Sequence, residues 1–102
     1  MIRFVEIINT TDKNPRMERI AIPAYRMGEV WINERFVVNV REHEGYNQLL
    51  KEGRLPPELD TKHTFTAITV NEGGYTSTHV VVGDVAAVAA RLSKDRSMLL
   101  KG

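Results

Sequence analysis

The sequence predicts an α+β domain: a small, mainly antiparallel β-meander or partly open barrel of about six short strands, with one short central helix and a C-terminal helix packed on the sheet. Three observations lead there. Residues 64–70 and 75–82 are β-branched and aromatic runs separated by Asn71-Glu72-Gly73-Gly74, the composition of a hairpin. Gly83-Asp84 ends the second run and sets a side-chain acceptor before 85–92, where Val85, Val88 and Leu92 recur at helical spacing. Near the N-terminus, Ile2, Phe4 and Ile8 alternate with Val5 and Ile7, so both faces are apolar and an interior strand is expected.

The remaining elements follow in chain order. Residues 9–15 are polar and closed by Pro15, which reads as an exposed loop. Residues 17–22 form a short strand candidate that Pro23 stops, because proline cannot donate to a ladder. Residues 29–40 read as two short strands about a turn at Asn33-Glu34. In the second, Phe36, Val38 and Val40 share one face and are placed inward. Tyr46, Leu49 and Leu50 make one stripe of a two-turn helix that Gly53 closes, and Pro56-Pro57 stiffens the connector after it. The C-terminal helix is read to Leu92, with 93–102 as a flexible tail that turns apolar at Met98-Leu99-Leu100.

The run Val30, Ile32-Asn33, then Val38 and Val40, then Thr66, Ile68-Thr69-Val70-Asn71-Glu72-Gly73, then 79–82 and a short helix resembles the small flagellar-operon FlbD family. The overlap covers residues 30–92. The resemblance implies a small meander packed on a helix that acts by contact; it transfers no functional residue, since 46–60 is inserted relative to that pattern.

Bulk properties bound the function. A chain of 102 residues with 42% apolar and 26% charged residues makes one domain, 1–102, with a modest core. Its apolar runs are far shorter than the roughly 20 residues of a membrane span, no basic-then-apolar leader is present, and cysteine is absent, so a soluble cytoplasmic protein is expected. The net charge of +1 makes no strong field for nucleic acid.

No motif for a metal, a cofactor or a small-molecule substrate stands out. His43, His63 and His79 match no ligand spacing, and hairpin geometry sends His63 and His79 to opposite faces. Glu72-Gly73-Gly74 leads into a strand, so it cannot cradle phosphate as a P-loop does. Ser77 and His79 share a strand face, but a catalytic reading would require a deep pocket holding His79 with a carboxylate in reach. What remains is binding. Tyr25, Met27 and Trp31 lie by turns and Met98, Leu99 and Leu100 at a chain end, where large apolar groups serve as contact anchors. A non-catalytic accessory or regulatory module of bacterial or phage type is therefore expected, acting on a protein partner or by self-association. The alternative is nucleic-acid binding through Arg19, Arg26, Arg35 and Arg41 with the aromatic residues near them.

Overall fold

The computed structural model describes residues 1–9 and 25–101, with 94–101 described as backbone alone. The predicted strand at 17–22 and Arg19 lie outside the described residues, as do the side chains of Met98, Leu99 and Leu100. Five strands form one sheet: β1 (Ile2–Asn9), β2 (Tyr25–Ile32), β3 (Val37–Glu42), β4 (Phe65–Glu72) and β5 (Tyr75–Val82). Among the described residues the sheet is joined by two α-helices, α1 (Asn47–Lys51) and α2 (Val85–Lys101). The α+β class and the antiparallel sheet stand; about six strands were expected and five are described.

The spatial order β2-β1-β5-β4-β3 puts β1 in the interior, as its two apolar faces require. Every pairing is antiparallel. Ile2 and Phe4 enter a core with Ile32, Ile68, Val70, Val81, Val88 and Leu92, while Ile7 enters a second one with Leu50, Leu55 and Phe65. The two cores lie on opposite faces of the sheet, the first under α2 and the second under α1 and the segment after it.

Strands β2 and β3 are consecutive in sequence yet occupy the two edges. The edges of a flat five-stranded sheet lie about 19 Å apart. A link from Ile32 to Val37 that winds through a 3₁₀ turn at Glu34–Phe36 spans only about 14 Å. The sheet must therefore curl, which is how residues of all its strands reach one core. Asn33 makes the turn by accepting the Arg35 N–H on its side chain at 3.0 Å and the Phe36 N–H on its carbonyl at 3.0 Å.

The inward set on β3 differs from expectation. Val37 pairs with Val70 and Asn39 with Thr69, so Val38 is the extra residue of a bulge. That extra residue breaks the alternation: Val37 and Val40 pack on the core, while Phe36 is 42% and Val38 60% exposed.

The predicted hairpin and cap are present. Glu72 pairs with Tyr75, leaving Gly73-Gly74 as a two-residue turn with φ of 59° and 88°, the left-handed pair that glycine adopts without strain. Asp84 Oδ1 accepts the Ala87 N–H at 2.7 Å, and Val88 and Leu92 of α2 are buried against the sheet. The sequence ended this helix at Leu92; it runs on to Lys101. Asp84→Ala is expected to lower stability by about 1 kcal/mol through loss of the cap. Urea unfolding would register this as a lower midpoint with an unchanged slope.

Candidate functional site

Two clefts adjoin beside β2, one at the gap between β1 and β5, where residues of both faces of the sheet line it, and one under the segment that follows α1. The first, of about 370 Å³, is lined by Arg3, Phe4 and Val5 of β1, Met27 of β2, Glu58, Leu59 and His63 of the connector, Val82 of β5 and Arg91 of α2. The second, of about 510 Å³, is lined by Tyr25, Arg26 and Met27 together with the connector 53–58. Met27 and Glu58 line both, so the clefts adjoin there, and the pair is called the trough.

The connector forms the outer wall because its own chemistry fixes it there. Gly53, at φ 70°, turns the chain out of α1, and Leu55 is buried against Ile7, Leu50 and Phe65. Beyond Pro56-Pro57, Lys62 N–H donates to Asp60 Oδ1 at 2.7 Å and closes a tight turn. His63 Nδ1 sits 2.9 Å from the Asp60 nitrogen and 3.3 Å from the Asp60 carbonyl and carboxylate oxygens. The backbone N–H is an obligate donor and makes the shortest contact, so Nδ1 accepts and the ring proton is assigned to Nε2.

The inner wall opens because β1 and β5 are joined through the single register pair Glu6↔Val81. Beyond it, Arg3-Phe4-Val5 forms one lip and Val82 the other. Arg91 reaches across from α2: its guanidinium lies 4.4 Å from the centroid of the Phe4 ring, and Nη2 donates to the Arg3 carbonyl at 2.6 Å.

Trp31 stands near this trough on the same edge strand. It is 55% exposed, and its indole N–H donates to Glu29 Oε1 at 2.9 Å while Arg3 Nε donates to Glu29 Oε2 at 2.6 Å. The Arg3 and then the Trp31 hydrogen bonds hold the Glu29 carboxyl below its usual range. Of the other predicted contact anchors, Met27 and Tyr25 are half-buried in the second core and still line the trough. Tyr25 meets Tyr46 edge-on at 5.5 Å, and Tyr46 in turn meets His43 at 4.8 Å and Phe65 at 5.8 Å. Burial, and secondarily Tyr25, pushes the Tyr46 hydroxyl up from its ordinary value.

The arginines of the alternative site are exposed but dispersed. Arg26 lies on edge strand β2, Arg41 on edge strand β3 and Arg35 in the turn between them.

A third arrangement was legible only in part. Ser77 Oγ is 3.4 Å from His79 Nε2, and His79 Nδ1 is 3.2 Å from Glu6 Oε1. The carboxylate is that of Glu6 of β1, the residue paired with Val81, so the contact ties the two strands where their ladder is short. Neither cleft of the trough is lined by Ser77 or His79.

Among the described residues, no group of three or more His, Asp or Glu side chains is placed to hold a metal ion, and no helix is long and apolar enough to cross a membrane. No family model, curated protein or solved structure matches this chain.

Proposed function

We propose that the chain is a small non-catalytic binding module that holds a segment of a protein partner along β2 and the trough beside it. The observation that carries this is Trp31, a large aromatic side chain left 55% exposed on an edge strand. Its indole is already oriented by the Arg3–Glu29–Trp31 chain of hydrogen bonds, so binding loses little further side-chain freedom there. Fixed aromatic groups of this kind are the side chains that dominate contact energies. An edge strand also presents a row of backbone groups to which an extended segment can add. The curled sheet, as a partly open barrel, gives this edge a rigid backing.

Capture from the native host tests the role. The wild-type chain should retain a partner that Trp31→Ala loses, while Tyr75→Ala, at an 85% exposed hairpin tip, should retain it. Equal capture by the Trp31 variant would reject the role. Light scattering identifies the case in which the partner is a second copy: the wild-type mass would exceed that of a single chain and fall in the Trp31 variant. If the chain instead held oligonucleotides at low salt and released them steeply as salt rose, nucleic-acid binding would replace this proposal.

A further inference from the structure

The 370 Å³ end of the trough combines an apolar floor with donors already held in position. Val5, Met27, Leu59 and Val82 supply the floor, and Arg91 and His63 face the same space. The Arg91 guanidinium is pinned by the Phe4 ring and by its bond to the Arg3 carbonyl, and among the described residues these two contacts leave further N–H groups of its fork for a ligand. His63 contributes Nε2–H because Nδ1 is occupied by the Asp60 N–H. An arginine fork and an imidazole N–H donor lining one cleft are groups that recognise carboxylate oxygens, and the apolar floor suits a hydrocarbon group next to them.

From this we infer that the Arg91–His63 end of the trough binds the C-terminal carboxylate of a partner polypeptide, with an apolar last side chain on Val5, Leu59 and Val82. The continuation past Met27 into the 510 Å³ cleft gives the preceding residues somewhere to run, which a single small anion would not need. Glu58, at the junction, accepts N–H groups of the segment passing it and disfavours a second acidic group there. This specifies the partner chemistry of the role proposed above and rests on it.

Titration of the ¹⁵N-labelled full chain with acetyl-Gly-Gly-Leu tests it, with the same peptide as its C-terminal amide for comparison. The free acid should shift the amide signals of Val5, Leu59, Val82 and Arg91, and bind at least about tenfold more tightly than the amide. Arg91→Gln should weaken the acid by a similar factor with its spectrum otherwise folded. Arg91→Lys, which keeps charge without the fork, should fall between the two. Equal binding of acid and amide, no shifts up to about 10 mM peptide, or an unchanged affinity in Arg91→Gln would each overturn the inference. So would octanoate binding more tightly than the peptide, since the site would then be one for a free fatty acid. Trp31 lines neither cleft, so its variant tests the partner role separately: loss of capture there with equal acid and amide binding here would leave that role standing and remove this one.

Discussion

Phe65→Ala should destabilise the domain by about 3–5 kcal/mol, at least about a fifth of the roughly 5–15 kcal/mol a domain ordinarily has. Phe65 is fully buried at the start of β4. It is the sheet residue on which the second core converges: Leu50 of α1, Leu55 of the connector and Ile7 of β1 share its cluster, and Tyr46 stacks edge-on against its ring. Its removal leaves a cavity that its neighbours cannot all reach, because Ile7 and Leu55 are held by separate backbones. The expected fall in melting temperature is on the order of 15 °C or more. The loss should not be uniform. The connector forms the outer wall of the trough, so hydrogen exchange should quicken over residues 46–64 before it does in β4 and β5. A loss below about 1 kcal/mol, or exchange that quickens everywhere alike, would show that the connector stands without this anchor and that the trough wall has another support.

What could be seen in the sequence divides along the range of the interactions. Asp84, Gly73-Gly74 and the double-faced alternation of β1 are local signals, each settled by a few adjacent residues, and the structure has a cap, a two-residue turn and an interior strand at those places. The bulge at Val38 was not legible. Phe36, Val38 and Val40 alternate well, and only the pairing of β3 with β4 decides which side of the extra residue faces the core. The β1–β5 junction was hidden for the same reason: Glu6 and His79 meet across 73 positions, so Ser77-His79 showed as ordinary polar alternation with its carboxylate out of sight. Tyr25 and Met27 in the trough and Trp31 beside it are recognisable in the sequence as large side chains, although it places them by turns and the structure puts all three on β2. The donors are not recognisable there. Nothing local in the sequence marks Arg91 of α2, because its placement depends on Phe4 and Arg3 lying under it.

That dependence on α2 leads to the change with the second large effect, Val88→Asp. Val88 is 3% exposed and packs with Ile2, Phe4, Ile32, Ile68, Val70, Val81 and Leu92; it sits so close to the chain before the helix that a Cβ at Gly83 would lie 3.3 Å from its Cγ2. A carboxylate at that position would have to ionise without a partner or take up a proton, and either course costs several kcal/mol. The least costly escape is for α2 to leave the sheet. Its departure would expose Ile68 and Val81 and take Arg91 away from Phe4, so a single substitution should cost stability, loosen the α2 end of the sheet and empty the trough of its best donor. Ala86→Asp is the control: the same charge on the same helix, two residues away on an exposed position, should change stability by less than about 0.5 kcal/mol. Denaturation midpoints for the pair, read with the acetyl-Gly-Gly-Leu titration, separate the outcomes. If Val88→Asp kept wild-type stability, α2 would not be the cover of the first core. If it lost stability but kept the preference for the free acid over the amide, the carboxylate would be held by groups other than Arg91.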